Sequence, residues 1–65
     1  MALKWFKNEQ NERYVAINPQ HVVSVEELRV ENNGQKISEI YISPNAKYKV
    51  FGTIDEVVGK LNEKD

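Results

Sequence analysis

The dipeptide Asn33-Gly34 lies between two β-rich runs and constrains the fold of this chain more than any other feature. Asn-Gly in this setting is the strongest short-range signal for a β-hairpin, because both central residues of a type I′ turn need a positive φ. Glycine adopts a positive φ freely, and asparagine tolerates one. The sequence therefore predicts a long hairpin over residues 21–42, with Glu31 facing Lys36 across a two-residue loop.

The same loop sets the pairs further along the hairpin. They are Val30 with Ile37, Leu28 with Glu39, Glu27 with Ile40, and Val25 with Ile42. Side chains alternate between the two faces of a strand, so Val23 and Val25 share one face. Leu28 and Val30 share the other face, and the apolar phase changes at Glu26-Glu27.

This phase change has two interpretations. A β-bulge at Glu26-Glu27 would return the apolar side chains to a single core face, because one extra residue re-aims every later side chain. Without a bulge, the hairpin is apolar on both faces, and the second face needs a cover. In so short a chain, we expect that cover to be another copy of the same chain.

Two short strands are predicted before the hairpin, over residues 3–6 and 13–17. In the first, Leu3 and Trp5 would share one face with Phe6 on the other, and in the second Tyr14 and Ala16 would alternate with Val15 and Ile17. The polar residues 8–12 form the connection between them. Pro19 cannot donate a hydrogen bond to a sheet and biases Asn18 away from helical angles. We therefore expect a corner at residues 18–21, with one turn of 3₁₀ helix.

A further strand follows the hairpin over residues 47–51, after a turn at residues 43–46. A three-residue loop would place Tyr48 beside Ile42 and Val50 beside Ile40. Lys47 and Lys49 would then point to solvent.

The last segment has the pattern of an amphipathic helix. Thr53 is the expected N-cap, and Glu56 three residues later completes a capping box. One apolar stripe follows at i, i+3, i+4 and i+7, formed by Ile54, Val57, Val58 and Leu61. The sequence thus predicts one α+β domain over residues 1–65, an antiparallel β-meander of about five strands with one C-terminal amphipathic helix packed on the sheet.

A chain of 65 residues without cysteine has few sources of extra stability. A domain of this size buries only about 60% of the surface that its unfolded chain exposes. Disulfides are excluded and no metal site is visible, so self-association is the expected source. We expect a homo-oligomer whose contact is formed by Leu28, Val30, Ile37, Trp5 and Phe6. The lack of cysteine also fits the reducing cytoplasm.

No group of residues predicts an enzyme, a metal site or a cofactor site. His21 is the only histidine and has no candidate partners nearby, so we interpret it as a turn residue. Glu26 and Glu27 point to opposite faces of a strand and cannot share a proton, and Asp55-Glu56 is explained by helix capping. The apolar runs are also far too short to span a membrane, and the N-terminus lacks the apolar core of a secretory signal.

Nucleic-acid binding is the alternative function that the sequence leaves open. Basic and aromatic residues are interleaved in two strands, as in surfaces that stack single-stranded bases. The residues concerned are Lys4, Trp5, Lys7, Arg13, Lys47, Tyr48 and Lys49. Nine basic and ten acidic residues give a net charge of −1, however, and affinity for nucleic acid depends on phosphate neutralisation. This balance favours an interaction protein, and nucleic acid is an unlikely partner.

Several pieces of the chain, taken in order, are similar to small bacterial flagellar proteins of the FlbD type. The pieces are Ile17-Asn18-Pro19, Val22-Val23-Ser24-Val25-Glu26, Asn33-Gly34, Tyr48-Lys49-Val50 and Asp55-Glu56-Val57-Val58-Gly59-Lys60-Leu61. The resemblance implies strands in sequence followed by a C-terminal helix. Together with the small size, it leads us to expect a non-enzymatic interaction or adaptor protein, from a phage, prophage or motility locus, with an unknown protein partner.

Overall fold

In the computed structural model, the described residues are 2–32 and 34–63, and side chains are described for these except at 29–32. The elements follow the order predicted from the sequence. They are β1 (Lys4–Lys7), β2 (Tyr14–Ile17), a 3₁₀ turn (Pro19–His21), β3 (Ser24–Asn32), β4 (Gln35–Ser43), β5 (Ala46–Phe51) and α1 (Ile54–Leu61).

The five strands form two antiparallel sheets, β1-β2 and β3-β4-β5, and the predicted α+β class is confirmed. A single bridge between Asn8 and Val50 joins the end of the first hairpin to β5. Next to it, the Glu9 amide donates a hydrogen bond to the Lys49 carbonyl at 2.9 Å. The predicted meander is therefore divided into two sheets, and among the described residues this bridge is where backbone pairing joins them.

The central hairpin turns where the sequence predicted. Glu31 pairs with Lys36 and Asn32 pairs with Gln35, which leaves a two-residue loop. Gly34 has a φ of 80°, the left-handed conformation that such a turn requires. Asn33 lies outside the described residues.

Below the loop, the predicted register of β3 and β4 is wrong. The pairs Val30–Ile37, Leu28–Glu39, Glu27–Ile40 and Val25–Ile42 are replaced by Leu28–Ile37, Glu27–Ser38, Glu26–Glu39 and Val25–Ile40. The pairing is irregular between Leu28 and Glu31, where β3 contains two residues with no counterpart on β4. Because side chains alternate with a period of two, a shift by two residues changes which residues are paired across the strands. It does not change the face of the sheet on which each side chain lies.

The phase change on β3 is a property of the folded sheet. Pairing runs without interruption from Ser24 to Leu28, so the chain has no bulge at Glu26-Glu27. Val25 lies beside Ile40 on the face that packs into the core. Leu28 lies on the opposite face, which we call the outer face. The sheet thus carries apolar side chains on both faces.

The core lies between the two sheets and the helix. It is formed by Phe6, Ile17, Ile40, Val50 and Val57, each at most 5% exposed. Among the side chains that the structure describes, β1, β2, β4, β5 and α1 each supply one buried apolar side chain to this core.

The predicted capping box is present at the start of α1. The Thr53 hydroxyl accepts from the Glu56 amide at 3.2 Å, and the Glu56 carboxylate accepts from the Thr53 amide at 2.8 Å. Val58 departs from the predicted apolar stripe, because it is 37% exposed while Val57 is buried. The helix therefore uses a narrower stripe than the sequence predicted.

The prediction for the corner at Pro19 is confirmed, whereas the predicted register of β5 is wrong. The predicted 3₁₀ turn is confirmed, with the Asn18 side chain accepting from the Gln20 amide at 2.9 Å. The β4–β5 loop is shorter than predicted, since Ser43 pairs with Ala46. The pairing is also irregular between Tyr41 and Ser43, and the two changes together place Tyr48 beside Ile40 and Val50 beside Ser38.

The two glycines near α1 should respond in opposite ways to alanine. Gly59 has no atom within 4 Å of an added Cβ, so Gly59→Ala is expected to raise the free energy of unfolding by about 0.5–1 kcal/mol. Gly52 has a φ of 133°, which a residue with a Cβ rarely adopts. Gly52→Ala should therefore lower the free energy of unfolding by about 1–3 kcal/mol. Urea denaturation followed by circular dichroism measures both. A loss of stability in Gly59→Ala would contradict the open surroundings of that residue.

Candidate interaction surface

The outward side of the β1–β2 hairpin carries two strongly exposed aromatic side chains. Trp5 is paired with Ala16, and Lys7 is paired with Tyr14, so these four side chains share one side of the hairpin. We call this side the hairpin face. Trp5 is 57% exposed and Tyr14 is 68% exposed. Large aromatic residues left this exposed together are typical of contact surfaces.

The other side of the same hairpin faces the core. Phe6 and Ile17 are buried there, and Lys4 is also buried on this side. The Lys60 ammonium lies over the Phe6 ring, 5.2 Å from its centre, in a cation–π contact between α1 and β1. Phe6, which the sequence analysis placed in the contact between copies, is therefore part of the core, whereas Trp5 is available for contact.

Three further residues were predicted to form the contact between copies, and two of them lie on the outer face. Ile37 is 3% exposed and lies between Leu28 on β3 and Phe51 on β5. Leu28 is half-buried. The Val30 side chain lies outside the described part of the chain. The outer face therefore offers less free apolar surface than the hairpin face.

A groove runs along the edge of β1, and we call it the edge groove. Three consecutive residues, Trp5, Phe6 and Lys7, line it together with Tyr14, and its volume is about 290 Å³. Consecutive side chains of a strand point to opposite faces, so a groove that touches all three lies along the strand's edge. The opposite wall is formed by Phe51, Gly52 and one side of α1.

The candidate nucleic-acid residues on the first hairpin do not share one surface. Trp5 and Lys7 lie on the hairpin face, but Lys4 lies on the core side. Arg13 precedes β2 and is exposed. Only part of this group is therefore positioned to meet a common ligand.

The remaining three candidates lie on β5, where they divide between the two faces of the second sheet. Tyr48 lies beside Ile40 and packs against the core. Lys47 and Lys49 point to the outer face, opposite Tyr41 and Glu39. The basic and aromatic residues of β5 thus do not form a stacking platform with Trp5.

Glu39 is the buried acid of the outer face, and its partner is Lys47. The Lys47 ammonium lies 2.9 Å from the Glu39 carboxylate and 5.6 Å from the centre of the Tyr41 ring. The hydrogen bond from Lys47 to Glu39, followed by the attraction between their charges, raises the pKa of Lys47 above its usual 10.5. This cluster stabilises a buried carboxylate and offers no free nucleophile or base.

The acid pair Glu26-Glu27 also has a structural explanation. The Glu27 carboxylate accepts a hydrogen bond from the Ile54 amide at 2.8 Å, at the start of α1. The Lys36 ammonium lies 3.8 Å from the same carboxylate. Sequence reasoning missed this role because a contact between residues 27 apart has no local signal.

The described residues contain no arrangement typical of a metal centre or a membrane span. Across residues 2–32 and 34–63, no group of three or more His, Asp or Glu side chains could hold a metal ion. Within the same part of the chain, no helix is long and apolar enough to cross a bilayer. His21, the only histidine, is exposed in the 3₁₀ turn. Comparison with protein-family models, curated proteins and solved structures finds no match.

The pairing of Lys47 with Glu39 predicts a pH dependence at high pH. Because the pKa of Lys47 is raised in the folded protein, its stabilising effect is fully present below 10.5 and is lost as the pH rises through the higher folded value. NMR titration of the lysine side chains should show Lys47 deprotonating above 10.5. In Glu39→Gln the shift in the pKa of Lys47 should become much smaller, because Glu39 is its main cause and Tyr41 adds to it. An unchanged Lys47 titration in that variant would contradict the assigned cause.

Proposed function

We propose that this chain is a small, non-enzymatic interaction or adaptor protein that associates with a second copy through the hairpin face. The observation that carries the proposal is the exposure of Trp5 and Tyr14 on one side of a two-stranded sheet. The other two residues of this face are Ala16, which is small and lies beside Trp5, and Lys7, which lies beside Tyr14. Burying these rings removes apolar area from water, which is the main driving force for association.

A second copy is the occupant that best suits this surface. In a two-fold dimer the same face contributes twice, so both Trp5 rings and both Tyr14 rings become buried in one contact. A chain of this size, whose described core cluster contains five strongly buried apolar side chains, gains most from such a contact. The outer face, with Leu28 and Ile37, is a smaller contribution because Ile37 is already buried.

The cellular location and the origin that we propose for this protein rest on its sequence. The resemblance to FlbD-type proteins and the absence of cysteine extend the proposal to a cytoplasmic protein of bacterial or phage origin. Nucleic-acid binding has less support, because its candidate residues divide among three surfaces and the net charge is −1.

Light scattering over a dilution series tests self-association. The unmodified chain is expected to have about twice the chain mass at micromolar concentration and to dissociate on dilution, since the proposed contact is small. Trp5→Ser removes an aromatic anchor and Ala16→Glu places a charge at the centre of the hairpin face, so both should give the mass of a single chain. A folded single chain at micromolar concentration without any substitution would contradict the proposal.

Val23→Ser is the matched control for these variants. Val23 is 65% exposed and lies outside the hairpin face, so its replacement removes exposed apolar surface without touching the contact. This variant should retain the mass of the unmodified chain. Circular dichroism of each variant shows whether a change in mass reflects loss of the contact or loss of the fold.

A further inference from the structure

We propose that the edge groove binds an extended segment of another protein that carries an apolar side chain flanked by acidic residues. The segment would add to the free edge of β1 as an extra strand. This inference rests on the interaction function proposed above and names its partner class. The edge groove shares Trp5, Lys7 and Tyr14 with the hairpin face, so the peptide and the second copy would compete for this end of the hairpin. Three properties of the groove carry it: its position, its apolar floor and its charge.

The position of the groove allows strand addition. β1 pairs with β2 along one edge, and among the described residues the other edge meets β5 only at the bridge from Asn8 to Val50. Beyond that bridge, β5 ends at Phe51, and the chain turns away at Gly52, whose φ is 133°. A strand directs backbone donors and acceptors to both of its edges, so an extended peptide in the groove can pair with β1.

The floor of the groove fits an apolar side chain. Phe6 and Val57 both line it, and both belong to the core. Its volume of about 290 Å³ lies just below the usual range for small-molecule pockets, which begins at about 300 Å³. The space suits one or two side chains of a bound peptide, which gain the free energy of burial against these apolar residues.

The charged residues of the groove favour acidic flanking residues. Lys7 and Lys60 line opposite walls, and neither forms a salt bridge with any other described residue. The single acid, Glu56, has one carboxylate oxygen engaged by the Thr53 amide in the capping box. The groove is therefore locally positive in a chain whose net charge is −1. Two lysines match a short acidic peptide, whereas binding to a nucleic-acid backbone usually requires more phosphate contacts.

Trp5 makes the proposal directly measurable, because it is the only tryptophan and it lines the groove. The probe is a blocked hexapeptide with one central leucine flanked by aspartates, titrated into the full-length chain while tryptophan emission is recorded. The expected result is a saturable change in emission. A peptide with lysines in place of the aspartates should bind about tenfold more weakly, since two surface charge pairs are lost. Equal binding of the two peptides would overturn the charge argument and with it the proposal.

A pair of double variants tests the residues of the groove. Lys7→Gln with Lys60→Gln should weaken binding of the acidic peptide about tenfold. Lys36→Gln with Lys49→Gln makes the same change in net charge away from the groove, and it should leave the affinity unchanged. An equal loss in both would mean that the peptide responds to overall charge, which would overturn the site.

Methylation of the peptide backbone tests strand addition. Methylating alternate amide nitrogens of the same hexapeptide should abolish binding in one of the two possible phases, because one set of amides faces β1. Retained binding in both phases would overturn the strand-addition geometry. A saturable response to a short single-stranded oligonucleotide with no response to the acidic peptide would instead favour the nucleic-acid alternative and overturn the proposal.

Ala16→Glu separates this proposal from self-association. Ala16 lies on the hairpin face and does not line the edge groove. The variant should lose the mass of the dimer and still bind the acidic peptide. If the unmodified chain is a monomer and binds the peptide, self-association fails alone. If Ala16→Glu is a monomer with its groove uncovered and the peptide gives no response, the groove proposal fails alone.

Discussion

The rest of the structure depends on the central strand β4, which is buried on both of its faces. Four consecutive residues, Ile37, Ser38, Glu39 and Ile40, are each at most 5% exposed. Consecutive side chains alternate between faces, so this burial requires cover on both sides of the sheet. Strands β3 and β5 provide hydrogen-bond partners for the backbone of β4, while α1 and the first hairpin cover its core face.

Each buried polar residue of β4 has a partner that joins it to another element or another strand. The Ser38 hydroxyl donates to the Gly52 carbonyl at 2.8 Å, which fixes the turn between β5 and α1. Glu39 is paired with Lys47 of β5 at 2.9 Å. Unpaired polar groups would be costly at these positions, because burial removes their water. The polar residues of β4 therefore help to define where β5 ends and where the helix begins.

The core of this short chain leaves the outward side of the first hairpin uncovered. One side of that hairpin supplies Phe6 and Ile17 to the core, while Trp5 and Tyr14 remain on the other side. The single helix already packs against the core through Val57. No described element remains to cover the two aromatic rings. The exposed face and the groove beside it are both used in the proposed interactions.

Local chemistry in the sequence determined the elements, and only the tertiary structure decided how they meet. The Asn33-Gly34 turn, the Pro19 corner and the Thr53–Glu56 capping box could be predicted because each depends on residues at most three apart. The register of β3 could not be predicted, since no local sequence pattern indicates the two unpaired residues between Leu28 and Glu31. Alternation separated Trp5 from Phe6, but which of them became buried depended on β5 and α1, which are distant in sequence.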